Sequence, residues 1–284
     1  MTIWPTARPA RPTRREMNTA SKGSYASVNG LKMYYEIHGS GRPLVLLHGA
    51  LSTIEASFGK VLPSLAQTRQ VVAIEQQAHG HTADIDRPLT DEQMAEDTAA
   101  LLRQLKIENA DFLGYSIGAG IALEFARRQP DLVRKLVVAS PAYRRDGVYS
   151  EIWEGIETSK PEDLAGSPFR EAYARTAPHP ENWPTLIAKN KQHDQEFAGW
   201  PPKDILVIKA PTLVIIADSD IVRPEHAVEL FRLLGGGVVG DVAGLPRSQL
   251  TVLPGTAHVT LVDRADWLLS MITAFLDASM PDAE

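Results

Sequence analysis

The chain has 284 residues, 44% of them hydrophobic and 23% charged, and a formal net charge of −6. That is enough apolar sequence for one substantial globular unit without disulfide or metal staples, and it excludes a wholly disordered protein. The acidic balance speaks against a nucleic-acid partner, since phosphate backbones are bound by clustered Lys and Arg, and the lack of any Cys excludes thiol catalysis and Cys-ligated zinc.

Residues 1–24 are rich in Pro and Arg, with Arg8, Arg11, Arg14 and Arg15. No apolar core follows those charges, so neither a secretory nor a twin-arginine signal is read there. A disordered extension and cytoplasmic residence are expected. No apolar run approaches the ~20 residues that span a bilayer. Residues 25–28 and 31–38 alternate around Asn29-Gly30, a strong hairpin signal. The run 43–47, followed by His48-Gly49, reads as a buried parallel strand; 53–67 reads as a helix and 70–74 as another buried strand. Thr90 and Asp91 can cap a helix through Lys106, with Met94, Ala95, Thr98, Leu101, Leu102 and Leu105 on one face. A strand at 110–115, a helix at 117–129 ended by Pro130, and a strand at 135–139 follow.

From 141 to 204 the alternation stops, and Pro, Trp and charge dominate without a buried strand. This segment reads as an inserted helical cap. Alternation resumes with a strand at 212–217, a helix at 224–234, a strand at 249–253 and a helix at 264–276. The glycine-rich stretch 235–246 follows a helix rather than a strand, so it reads as a surface loop and not a phosphate loop. An opening hairpin followed by repeated βα units specifies an α/β fold, a mostly parallel doubly wound sheet with helices on both faces. Its core would be 25–140 and 205–284, with the cap at 141–204.

Gly114-Tyr115-Ser116-Ile117-Gly118 lies where a strand meets a helix. A sharp turn there would project the Ser116 hydroxyl clear of the sheet, and a side chain at Gly114 or Gly118 would clash within it. The helix N-terminus would place partial positive charge beside a developing oxyanion. A serine hydroxyl still needs a base. Among eight histidines, His258 follows the last strand and so opens at the carboxyl edge of the sheet, as Ser116 does. His79 and His81, flanking Gly80 at the same edge, are weaker candidates. His48 reads as stabilising a turn, His38 sits on the hairpin and His226 in a helix, and His179 and His193 fall in the insertion. Asp218 and Asp220 both follow the strand 212–217, and either could orient the imidazole by accepting its N–H. The acid must cross to the loop of His258, which favours Asp220, further beyond the strand; Asp218 is better placed to cap its own turn. The order Ser, Asp, His completes the pattern.

On these motifs the chain, over residues 25–276, resembles the α/β-hydrolase superfamily. His48-Gly49-Ala50 is similar to the family's oxyanion-loop motif, which implies that the amides of Ala50 and Ile117 bind an oxyanion. Glu75 to Thr82 resembles the segment Asp-x-Arg-Gly-x-Gly-x-Ser but departs at Glu75, Gln77 and Ala78, so the usual salt-bridging is not expected. In the family the acid stands three residues after a glycine; Ala217 replaces that glycine here, and the count lands on Asp220. A serine nucleophile separates the chain from haloalkane dehalogenases and epoxide hydrolases. The resemblance implies a serine hydrolase that cleaves a small carboxylic ester or lactone through an acyl-serine, with no cofactor and no metal. Carbon–carbon hydrolysis of a diketone-type substrate, or a non-catalytic small-molecule receptor, are the alternatives. Leu51, Trp153, Trp183 and Trp200 are the candidate substrate-pocket residues, and the three tryptophans read equally well as the cap's own small core.

Overall fold

The structure is a computed structural model and describes residues 23–280. The expected disordered extension lies almost wholly outside them. Eight strands form one sheet: β1 (Ser24–Val28), β2 (Leu31–His38), β3 (Arg42–Leu47), β4 (Arg69–Glu75), β5 (Ala110–Tyr115), β6 (Val133–Ala139), β7 (Thr212–Ser219) and β8 (Gln249–Ala257). Their spatial order is β1-β2-β4-β3-β5-β6-β7-β8. β1 pairs antiparallel with β2, and β2 with β4; every pair from β4 to β8 is parallel. The hairpin turns at Asn29 and Gly30, both at positive φ.

Helices follow in chain order: α1 (Ile54–Phe58), α2 (Leu62–Leu65), α3 (Asp91–Gln104), α4 (Ile117–Arg128), α5 (Ser150–Thr158), α6 (Pro168–Thr176), α7 (Trp183–Glu196), α8 (Pro202–Ile205), α9 (Pro224–Leu233), α10 (Gly240–Ala243) and α11 (Ala265–Asp277). Alternate strand residues feed two separate cores, as the pleat demands. Val45, Leu47, Val72, Ile74, Phe112 and Val138 pack under α3, α4 and α9. Leu44, Leu46, Val71, Ala73, Leu113 and Val137 pack under α1, α2 and α11 on the other face. The fold is therefore the expected mostly parallel, doubly wound sheet.

Two elements differ from expectation. Residues 53–67 form two short helices, because Pro63 in the first turn of α2 offers no N–H to continue α1. β8 runs four residues past its apolar stretch, through Pro254 and Gly255, because β7 continues to Ser219 and pairs with Ala257 beyond a bulge. The glycine-rich stretch is a surface segment, with Val242 and Leu245 exposed, that contains the helical turn α10.

Between β6 and β7 lie α5 to α8. Tyr173, Trp183, Leu186 and Ile187 of this insertion form a small core that closes on Ala78 of the sheet's edge. Lys189 ties it down further, donating to Asp84 Oδ1 at 2.8 Å and to the carbonyls of Ile85 and Arg87. Among the described residues no helix is long and apolar enough to cross a membrane.

Candidate active site

Ser116 joins β5 to α4 with φ 55° and ψ −120°, a conformation that costs a non-glycine residue about 1–3 kcal/mol. Its amide donates to Ala139 O at 2.9 Å, anchoring the turn to β6. The flanking glycines are there for space. A Cβ on Gly114 would sit 2.2 Å from Gly118 O, and one on Gly118 would sit 2.0 Å from Leu47 O.

His258 follows the end of β8, with its Nε2 3.0 Å from Ser116 Oγ. Its Nδ1 lies 2.7 Å from Asp220 Oδ1. With Nδ1–H donated to the carboxylate, Nε2 is left to take the serine proton. The Asp220 side chain is fully buried. Its oxygens also accept from Ser140 Oγ at 2.5 Å, from the Ala217 amide at 3.2 Å and from the Val222 amide at 3.2 Å. Burial by itself pushes this carboxyl up; the His258 ring, the Ser140 hydroxyl and the Val222 amide outweigh that and hold it below its ordinary range.

Asp218 is exposed and takes another part. Its carboxylate accepts from the amides of Gly255 at 2.8 Å and Thr256 at 3.1 Å, and those amides hold it below the ordinary carboxylate range. The expectation was a cap on its own turn; instead it grips the neighbouring strand just ahead of His258. Tyr115 secures the same segment, its hydroxyl donating to His258 O at 2.9 Å.

His48 is buried, and burial lowers its pKa. Its Nδ1 donates to Gly49 O at 2.7 Å while Nε2 accepts the Gln76 amide at 3.1 Å. A neutral imidazole thus shapes the turn that leads to Ala50 and Leu51, the latter at φ 56°. Ala50, Leu51 and Ile117 all border the cavity above Ser116. Ile117 is the first residue of α4, so its amide has no intrahelical partner. Glu75 replaces the resembled aspartate and accepts from the amides of Ile54 at 3.2 Å and His81 at 2.6 Å. Gln77 accepts from Arg87 and donates to Asp84, and Glu75 lies 2.9 Å from His81 Nδ1.

The cavity over Ser116 and His258 has a volume of about 360 Å³ and is walled mainly by Leu51, Val148, Ile152, Trp153, Phe169 and Phe197. Asp91, His193 and Asp194, bonded to one another, add charged groups to its lining. Of the four pocket residues expected, Leu51 and Trp153 line it. Trp183 does not. It is 3% exposed, in the insertion's own core, because α7 turns that side of its first residue toward Tyr173 and Leu186. Trp200 is also a correction: it borders a neighbouring cleft, its amide tied to Tyr143 O.

The remaining histidines stand apart from Ser116. His79 and His226 are buried, and burial lowers them to about 3 and about 4 respectively. His81 is raised by its bond to Glu75, and His38 lies 2.7 Å from Glu36. Sequence reasoning missed Ser140, although its place at the end of β6 before Pro141 was a usable signal. It also missed the Asp91–His193 pair, which had none. Among the described residues no group of three or more His, Cys, Asp or Glu is arranged to hold a metal ion.

A strained strand-to-helix serine, a histidine after the last strand and an acid after the one before it define an α/β-hydrolase arrangement. Comparison with known proteins gives the same family. The family model for the alpha/beta hydrolase fold matches residues 42–182. Human serine hydrolase BPHL is 31% identical over 227 residues, 74% of each chain. A putative carbamate hydrolase, RutD of Azorhizobium caulinodans, is 26% identical over 276 residues, covering 88% of this chain and 97% of its own. The structure of a meta-cleavage product hydrolase from Pseudomonas fluorescens IP01 superimposes with a TM-score of 0.69 at 20% identity, over 90% of this chain and 97% of that one. The chain belongs to the α/β-hydrolase superfamily, and it is a hydrolase.

Proposed function

We propose that this hydrolase is a serine enzyme that cleaves a small carboxylic ester or lactone through an acyl-serine intermediate. The observation that carries the reading is the 3.0 Å approach of His258 Nε2 to Ser116 Oγ at the floor of a largely apolar cavity. In this reading His258 takes the hydroxyl proton as Ser116 Oγ attacks the carbonyl carbon, and Asp220 stabilises the imidazolium so formed. The amides of Ala50 and Ile117 bind the oxyanion. His258 then returns the proton to the departing alkoxide oxygen. Water, deprotonated by the same ring, attacks the acyl carbon; the acyl–Oγ bond then breaks, the ring returns the proton to Ser116 Oγ, and the acid leaves. The substrate is a small molecule, for a cavity of about 360 Å³ is near the small end of the usual range of about 300–1,000 Å³. The insertion at 141–204 serves as the cap that supplies one wall, and the enzyme is placed in the cytoplasm.

The test is turnover of p-nitrophenyl butyrate together with labelling by a fluorophosphonate. Wild-type protein should hydrolyse the ester and be labelled at Ser116, and Ser116→Ala should lose both. Labelling at another residue would overturn the assignment. Labelling of Ser116 with turnover of diketones alone would move the reading to carbon–carbon hydrolysis, and no turnover of any substrate would leave a receptor.

A further inference from the structure

The catalytic cavity does not end in solid protein. It adjoins a second cleft of about 220 Å³, lined in part by Glu92, Glu124, Arg127 and Glu196. The two concavities share three residues, Asp91, His193 and Phe197. Asp91 begins α3, whereas His193 and Phe197 belong to the last turn of α7 and the residue that ends it. The shared wall is therefore built across the junction between the sheet's helical layer and the insertion.

That wall is held from both sides. His193 Nε2 lies 3.1 Å from Asp91 Oδ1, and its Nδ1 lies 3.3 Å from Asp194 Oδ1. Burial lowers the imidazole, but the bonds to Asp194 and Asp91 prevail and raise it to about 10, so it is a cation at neutral pH. The Phe197 ring stacks on His193 at 6.2 Å with an 18° interplanar angle, and meets the edge of Trp200 at 5.9 Å. Asp91 also sits against Gly120, where an added Cβ would be 3.5 Å from its carboxylate. Gly120 is one turn of α4 beyond Ser116, about 6 Å along the helix axis, so the wall stands close behind the nucleophile.

We propose that Phe197, propped by the Asp91–His193 pair, is the partition that limits the length of the substrate chain. The inference rests on the ester-hydrolase reading above. A chain that reaches the partition meets the Phe197 ring, held by its stack on His193 and its edge contact with Trp200, and stops there for want of space. A chain that could pass it would gain the second cleft. With the ring gone the two spaces join, and the accessible volume grows by more than half.

The experiment compares wild type, Phe197→Leu and Phe197→Ala on two series: p-nitrophenyl esters from acetate to decanoate, and acetates of linear alcohols from ethanol to decanol. Wild type should lose kcat/KM sharply beyond a medium chain in one series. Phe197→Ala should raise the long-to-short ratio in that series by about tenfold or more, the scale on which a few methylenes discriminate, with Phe197→Leu between. The idea is overturned if wild type handles the longest chain as well as the shortest, or if both folded variants keep the wild-type ratio. Labelling rates with ethyl and decyl fluorophosphonates separate the two layers of inference. Ser116 labelling that shifts toward the decyl probe in Phe197→Ala supports the partition even without ester turnover, and unshifted labelling refutes it. Absence of both turnover and labelling refutes the ester reading and the partition with it.

Discussion

Replacing Asp220 by Asn keeps the shape of the side chain and changes one oxygen to NH₂. In the structure each oxygen faces a backbone amide, Val222 on one side and Ala217 on the other, both at 3.2 Å. One amide therefore meets a donor whichever way the Asn lies, at about 1–3 kcal/mol for a buried group left unpaired. On one side the Ser140 hydroxyl can turn to accept; on the other His258 can accept only by giving up the proton on Nδ1. That second arrangement puts the proton on Nε2 and removes the base. Loss of the orienting carboxylate costs about 10⁴ in turnover, or about 5 kcal/mol of transition-state stabilisation. Asp220→Asn should thus lower kcat on p-nitrophenyl butyrate by about 10⁴, with a fall in melting temperature of a few degrees. Asp218→Asn, which keeps one acceptor for Gly255 and Thr256, should lose less than tenfold. Equal losses in the two variants, or an Asp220→Asn enzyme within tenfold of wild type, would refute the reasoning.

Stability should peak near neutral pH. His48, His79 and His226 are held neutral by burial, so the unfolded chain takes up protons below about pH 6.5 that the folded one refuses, at about 1.4 kcal/mol per pH unit for each. Their contribution is complete above pH 6.5 and is lost as pH falls, toward about 4 for His226 and about 3 for His79. His193 works in the opposite sense: raised to about 10, its contribution is complete below 6.5 and is lost as pH climbs to 10. Melting temperatures across pH 4–10 should fall on both sides, and His193→Gln should flatten the alkaline limb; a profile unchanged in that variant counts against the ion pair. Trp183→Ala should lower the melting temperature by emptying the insertion's core, whereas Trp153→Ala should change the ranking of ester chain lengths more than stability. A swap of those two outcomes would reverse their placement.

Much of this was legible because the sheet imposes a strict period. Runs such as Leu44 to Leu47 and Val71 to Ile74 are apolar at every position only because both faces are covered, and the ends of such runs locate Ser116, Asp220 and His258 at one edge. The insertion offers no such frame. Whether a tryptophan there faces substrate or its own small core depends on the rotation of a helix packed against other short helices, and Trp153 and Trp183 went opposite ways. The Asp91–His193 contact joins residues 102 apart along the chain, one of them a helix-capping position and the other an ordinary polar site in α7. Nothing local marks them as partners. The extension of β8 was hidden for a related reason: Pro254 and Gly255 read as a terminus, and only the presence of β7 alongside makes them strand.

The left-handed backbone at Ser116 bears on how this protein could age. Glycine would sit there without strain, so Ser116→Gly would relax the turn as it abolished the hydroxyl, gaining about 1–3 kcal/mol of strain less the ~0.4–1 kcal/mol that glycine adds in unfolded-chain entropy. Serine at that position is a standing tension between the stability of the whole molecule and the reach of one oxygen atom. On the proposed serine mechanism, an inactive form for crystallising substrate complexes is accordingly better made with glycine than with alanine, which keeps the strain.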